Sequence, residues 1–173
     1  MGNQYRCALI GGQSLLIECG QRLLDAGHAI IRVVTSDPPV VEWAKSKQLP
    51  VSDDRGDLCS TLTAEPIDYL FSIVNLRLLP GEVVDFPEQM AINFHDGPLP
   101  GYTGLNVTSW ALLNGEKTHG VSWHRVTHGI DDGDLLATEQ VPIEPQETAF
   151  SLNTRCFQAG IASFEVLLEK LTK

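Results

Sequence analysis

The chain has 173 residues and an apolar fraction of 43%, which suits one domain, spanning 1–173, with a real hydrophobic core. Ten prolines and fifteen glycines are spread along it, and no stretch reads as a disordered tail, a repeat or a low-complexity segment. The formal net charge of -10 argues against a nucleic-acid partner, because neutralising phosphates needs clustered Lys and Arg. The longest basic feature, Lys45 with Lys47, reads as a solvated helix face.

In chain order, Tyr5 to Ile10 reads as a buried strand that turns at Gly11 and Gly12. Helical spacing follows in Leu15, Leu16, Cys19, Leu23 and Leu24 and ends before Gly27. Ala29 to Thr35 is a β-branched run broken by Ser36, Asp37, Pro38 and Pro39. A short helix over Val40 to Lys47, a short strand at Pro50 and Val51, and strands at Tyr69 to Val74 and Met90 to His95 complete the first half. This alternation implies an α/β fold with a parallel sheet covered on both faces, a class that binds ligands at the carboxyl ends of its strands.

The second half changes character. Leu105 to Asn114 reads as a helix, and Gly120 to Val126 and Leu135 to Val141 as strands joined by the Asp-rich loop Thr127 to Asp134. A long amphipathic helix closes the chain at Lys173, with Phe150, Leu152, Cys156, Phe157, Ile161, Phe164, Leu167, Leu168 and Leu171 on its buried side. Trp110 and Trp123 are both expected in the core. Cys7, Cys19, Cys59 and Cys156 contain no C-x-x-C pair and read mostly as small buried thiols, which suits a reducing compartment such as the cytoplasm. No apolar run approaches the ~20 residues that span a bilayer. The N-terminus has no signal-peptide pattern, so no membrane partner is expected.

Three groups of residues could carry chemistry. Gly11-Gly12 lacks the G-x-G-x-x-G spacing of a dinucleotide site, and it reads either as a tight turn or as a phosphate or substrate loop. In Asn93-Phe94-His95-Asp96-Gly97-Pro98-Leu99-Pro100, strand alternation puts Asn93 and His95 on one side at a strand's end. An amide with fixed N–H donors and an imidazole that shuttles protons near neutral pH can together hold an oxyanion and protonate a leaving group. The third group, Thr127-His128-Gly129-Ile130-Asp131-Asp132-Gly133-Asp134, is a solvated turn or a cation site. His119, His124 and His128 are near it in sequence, but His119 sits at a turn before Gly120 and the spacing matches no compact zinc or calcium pattern, so no metal is expected.

At these residues the sequence resembles the 10-formyltetrahydrofolate-dependent formyltransferase family. That family includes methionyl-tRNA, glycinamide ribonucleotide and amino-sugar formyltransferases and the formylating domains of peptide synthetases. The resemblance runs in order through ALIGG, GHAIIRVVTSD, NFHDGPLPGYTGLN, WALLNGEKTHGVSWHRV and GIDDGDLL. It implies a Rossmann-like, mostly parallel twisted sheet with helices on both faces and no metal. Carried over, the catalytic trio falls on Asn93, His95 and Asp131, the last fixed by Gly133 as the glycine of D-x-G. Arg77, Leu78 and Leu79, with Leu76 before them, match the stretch lining the pterin pocket. Val126, Thr127, His128, Gly129 and Ile130 match the backbone that hydrogen-bonds the pterin. Gly11, Gly12 and Tyr102 are the substrate-side candidates. Gly97-Pro98 stands where many members have Ser-Leu, and Thr103 where many have Arg, which bears on acceptor recognition.

The implied reaction is acyl transfer. An acceptor amine attacks the formyl carbon of 10-formyltetrahydrofolate, and the Asn93 amide with a protonated His95 stabilises the oxyanion, a contribution of roughly 3–4 kcal/mol per donor. His95 then protonates the departing nitrogen, while Asp131 favours the charged imidazole and helps carry the amine's proton away. Hydrolysis at the same site and a catalytically silent folate-binding module are the competing readings, separated by amine dependence and by Asn93→Ala or His95→Ala. For the acceptor, acidity and an end at Lys173 disfavour tRNA. The sequence points to a small-molecule or carrier-bound amine, with an aminoacyl group on the carrier of a larger peptide synthetase first and an amino sugar next.

Overall fold

The computed structural model describes residues 4–171, which form two compact units, residues 4–93 and 94–171. The first unit is built from β1 (Arg6–Gly11), α1 (Gln13–Asp25), β2 (Ala29–Val34), α2 (Pro38–Ser46), β3 (Val51–Ser52), α3 (Leu58–Leu62), β4 (Tyr69–Ile73), α4 (Gly81–Val84) and the start of β5 (Met90–His95). Every strand pairing in it is parallel: β1 lies between β2 and β4, β3 pairs with β2, and β4 pairs with β5 from Tyr69↔Met90 to Ser72↔Asn93. Strands covered on both faces need no polar alternation. That is why β4 is buried at all five residues and β1 from Cys7 to Gly11.

Helix α1 buries Leu15, Leu16, Cys19 and Leu23, one face of a 3.6-residue repeat. Each such leucine contributes about 1.5–3 kcal/mol by leaving water. The helix stops where Gly27 takes φ +83°, as its sequence position predicts. Lys45 and Lys47 are exposed, as a solvated face requires. Helices α3 and α4 have five and four residues, too few to show a periodicity. The signal for α3 is its cap, since the Asp57 carboxylate accepts the Cys59 and Ser60 N–H groups.

The second unit contains the end of β5, then α5 (Val107–Leu113), β6 (Thr118–Arg125), β7 (Leu135–Pro142) and α6 (Ala149–Leu171). β6 and β7 are antiparallel, from Thr118↔Pro142 to His124↔Leu135, with a register shift between Trp123 and His124. Their core centres on Trp123, which is fully buried, with ring centroids 5.1 Å from Phe94 and 4.9 Å from Phe164. Its Nε1 donates to the Gly160 carbonyl and the Ser163 hydroxyl of α6.

Four expectations are corrected here. Trp110 is 56% exposed: the seven-residue α5 buries Val107, Thr108 and Ala111, and Trp110 lies to one side of that narrow arc. Phe150 is 83% exposed because it sits in the first turn of α6, ahead of the buried run that begins at Leu152. His119 is within β6 and buried, since the strand starts at Thr118. α5 is also shorter than expected at its start, where Gly104 and Asn106 both adopt positive φ. The expected helix end at Lys173 lies outside the described residues.

Candidate active site

The functional geometry of the second unit starts at the tip of β5. Gly97, Pro98 and Pro100 end the strand, and the loop they begin is pinned by β6. The Ser122 hydroxyl donates to the Gly97 carbonyl at 2.8 Å and accepts the Leu99 N–H, while His119 Nε2 donates to the Asp96 carbonyl at 2.7 Å. The loop then turns back over His95, whose Nε2 donates to the Tyr102 carbonyl at 2.5 Å. A carbonyl can only accept, so this contact assigns a proton to Nε2. Glycine at 97 makes the approach possible: a Cβ there would lie 2.8 Å from both His95 Nε2 and the Tyr102 carbonyl. The Tyr102 ring meets His119 edge-on, and its hydroxyl donates to Glu116 and accepts from Asn114.

The other nitrogen of His95, Nδ1, faces Asp131 Oδ2 at 3.6 Å, so the loop after β6 brings the expected carboxylate to the expected imidazole. Asp131 is oriented by two features. Its own backbone is left-handed, at φ +51°, and Oδ2 accepts the Gly104 N–H at 2.8 Å. Gly133 keeps the loop tight, because a Cβ there would run into the Arg125 carbonyl. Sequence reasoning missed His124 as a member of this group. Its Nε2 lies 3.5 Å from Asp131 Oδ1, and its Nδ1 donates to the Arg125 carbonyl at 3.0 Å. The available signal was its place on β6 in step with Ser122, but the register shift after Trp123 hides which way the ring turns.

The remaining candidates are placed as follows. Val126 and Thr127 are half-buried, while His128, Gly129 and Ile130 are exposed. Thr127 Oγ1 donates to the Asp132 carboxylate and accepts the Gly129 N–H. In the first unit, Asn93 is half-buried on β5, two residues before His95. Gly11, with φ +132°, closes β1 where a Cβ would strike the Ile73 carbonyl; Gly12 precedes α1, and Asp37 Oδ2 accepts the Gln13 N–H at 2.6 Å. Glycine at 11 is therefore required by close backbone packing. Leu76, Arg77 and Leu78 are exposed and Leu79 half-buried in the loop after β4. The Arg77 guanidinium donates to the Asp54 and Gly56 carbonyls.

Burial dominates the electrostatics of the second unit. It pushes the His119 and His124 imidazoles below their ordinary range, against the opposing pull of neighbouring carbonyls and carboxylates. Both are therefore neutral at pH 7. His119 Nδ1 is buried without a hydrogen-bond partner. Burial also pushes the thiols of Cys7 and Cys156 up to about 12 and that of Cys19 well above its usual value, so these are inert packing groups. Among the described residues no cluster of three or more His, Cys, Asp or Glu side chains could hold a metal ion, and no helix is long and apolar enough to cross a membrane.

A family model described as formyl transferase matches residues 24–166. The methionyl-tRNA formyltransferase of Geobacter sulfurreducens is 30% identical over 171 residues, covering 87% of this chain and 53% of the relative. The GDP-perosamine N-formyltransferase of Brucella melitensis is 33% identical over 104 residues, covering 60% of this chain and 40% of the relative. The chain thus spans about half the length of the curated relatives it matches. Among solved structures, the phosphoribosylglycinamide formyltransferase of Anaplasma phagocytophilum superposes with a TM-score of 0.87 at 22% identity, covering 98% of this chain and 88% of that one. That of Bacillus halodurans gives 0.83 at 26% identity, covering 96% and 94%. These likenesses show the α/β fold expected from the sequence.

Proposed function

Because this chain belongs to the formyl transferase family, we propose that it moves a formyl group from 10-formyltetrahydrofolate to an acceptor amine, with Asn93, His95 and Asp131 as its catalytic trio. The observation that supports this reading best is the approach of Asp131 to His95 Nδ1 at 3.6 Å, while Nε2 is occupied by the Tyr102 carbonyl. That arrangement leaves the Nδ1 edge as the reactive one. Asn93, next but one on the same strand, supplies the amide donor. The whole chain, 1–173, is read as one catalytic domain working in a reducing compartment.

In this reading the acceptor's nitrogen attacks the formyl carbon, and the electron pair of the C=O bond moves onto oxygen. The Asn93 amide and the charged His95 stabilise that oxyanion, at roughly 3–4 kcal/mol per donor. His95 gives its Nδ1 proton to the departing folate nitrogen, and Asp131 balances the imidazolium charge. Arg77, Leu78 and Leu79, and separately Val126 to Ile130, are the proposed pterin contacts. Each stretch carries exposed apolar side chains of its own, Leu76 and Leu78 in the first and Ile130 in the second. Gly11, Gly12 and Tyr102 are the proposed acceptor-side contacts.

For the acceptor, the net charge of -10 favours an amine delivered without electrostatic steering, such as an aminoacyl group tethered to a carrier domain. The 33% identity to an enzyme named for a sugar nucleotide supports the second acceptor class, an amino sugar. The test is an amine screen with 10-formyltetrahydrofolate, read as a formyl mass gain. A gain on aminoacyl carriers is expected, and a gain on nucleotide-linked sugars alone would replace that acceptor. Asn93→Ala and His95→Ala should each lower turnover about 100-fold or more in a folded protein. Unchanged turnover in either would remove the trio, and full-rate formate release without any amine would make the reaction hydrolysis.

A further inference from the structure

The Asp131 carboxylate has two imidazole neighbours, and the trio accounts for one of them. His95 and His124 are built alike around it. Each donates its far N–H to a backbone carbonyl, His95 Nε2 to Tyr102 and His124 Nδ1 to Arg125. Each turns its near nitrogen to a different carboxylate oxygen, Nδ1 of His95 to Oδ2 at 3.6 Å and Nε2 of His124 to Oδ1 at 3.5 Å. The Asp131 side chain is 13% exposed, and those of His95 and His124 are 6% and 3% exposed, so solvent has little access to the group. With its Nδ1–H committed, a neutral His124 presents a lone pair to Asp131. A carboxylate facing a lone pair has nothing to hold the two together until a proton arrives between them.

From this geometry we infer that His124 is the positioning residue that stores the acceptor amine's proton, received through Asp131, and returns it to His95 after transfer. This rests on the proposed formyl transfer. As the amine nitrogen bonds to the formyl carbon it loses one proton to Asp131, which shares it with His124 Nε2. When the bond from the formyl carbon to the folate nitrogen breaks, that nitrogen takes the proton on His95 Nδ1. His95 is then neutral, and the stored proton crosses Asp131 from Oδ1 to Oδ2 and restores it. One proton is lost and one gained, so the cycle closes without exchange with water. The groups facing His124 are Asp131 and Asp132 from the loop, His95 from β5 and the Arg125 carbonyl on its own strand. Burial disfavours the charged form of His124, and the Asp131 carboxylate beside it favours that form.

Nitrogen-15 NMR titration of the histidine rings in the intact chain tests the shared proton without any substrate. The Nδ1 signal of His95 should respond at the titration step of His124, and Asp131→Asn should abolish that response. Independent titrations, unaffected by Asp131→Asn, would overturn the proposal. Kinetically, His124→Gln should lower the turnover of 10-formyltetrahydrofolate with the amine found by the screen about tenfold. Its KM for 10-formyltetrahydrofolate should not change. The fall in kcat at acid pH that protonation of His124 causes should disappear. Unchanged kcat with an unchanged acid limb would also overturn it. If no amine accepts a formyl group, the proposed function fails, and the ring titrations still decide whether the three side chains share a proton.

Discussion

The two units spend their buried volume differently. In residues 4–93 the buried set is almost wholly apolar, and its buried polar side chains are His28, Thr35 and Ser72. In residues 94–171 the buried set includes His95, Thr108, His119, Ser122, His124 and Ser163, three of them imidazoles. A buried polar group costs stability unless it is hydrogen-bonded, so the second unit has traded hydrophobic stabilisation for chemistry. The lesson is that its packing and its reactivity depend on the same hydrogen bonds, whereas the first unit depends mainly on buried apolar area.

Truncating the largest buried ring in each unit is the most forceful way to sharpen that contrast. Phe71→Ala and Trp123→Ala should each cost about 3–5 kcal/mol. Trp123→Ala should cost about 1 kcal/mol more, because it also removes the donor to Gly160 and Ser163. Equal losses in urea titrations would mean that the polar contacts add nothing. Glycine substitutions come next. Gly11→Ala places a Cβ against the Ile73 carbonyl at φ +132° and should destabilise the fold by about 1–3 kcal/mol. Gly133→Ala places one against the Arg125 carbonyl and displaces the loop that carries Asp131. It should lower turnover more than it lowers the midpoint of unfolding. The reverse pattern would place the loop outside the chemistry.

Acid should distinguish the units less, because burial also lowers His28 in the first unit. His119 and His124 have folded-state affinities for a proton below the ordinary value of 6.5, so the unfolded chain binds protons that the folded one refuses. Their contribution is complete above that value and is lost as pH falls from it toward the lowered folded-state values. Thermal midpoints measured from pH 7 down to pH 5 should therefore fall, and His124→Gln should flatten the slope. A slope untouched by that change would clear His124 of the effect. Smallest of all is the thiol pattern. Cys7, Cys19 and Cys156 are buried and pushed up, so a thiol reagent on the native protein should modify Cys59 alone, and slowly. Rapid modification of all four would mean that the cores open easily.

Much of the fold was legible because its signals are local. The strands β1, β2, β4 and β5 are largely apolar runs, interrupted inside them by Arg32, Ser72 and Asn93 and cut by Gly, Pro or Asp, and α1 and α6 carry a clear 3.6-residue repeat. The expected strands at Tyr69 and Met90 begin where β4 and β5 begin. The pairing of His95 with Asp131 was legible only through the order of N-x-H, L-P-x-Y-x-G and D-x-G. No periodicity links two residues that far apart in the chain. The misses were of another kind. Trp110, Phe150 and His119 were each placed by their local pattern, and each pattern was silent on whether a neighbour would cover them.

Sequence alone thus determined the longer strands and helices and which residue types stand at the strand tip and in the acidic loop, because backbone propensity and burial periodicity are properties of adjacent residues, whereas the short α3 and α4 and the late start of α5 left no such pattern. Tertiary structure alone decided that Trp123 rather than Trp110 fills the core, that the Tyr102 carbonyl claims one nitrogen of His95, and that a second imidazole, His124, faces Asp131. Those outcomes depend on loops returning across long stretches of chain, where a single register shift or one left-handed residue redirects a side chain without leaving any mark on the local pattern.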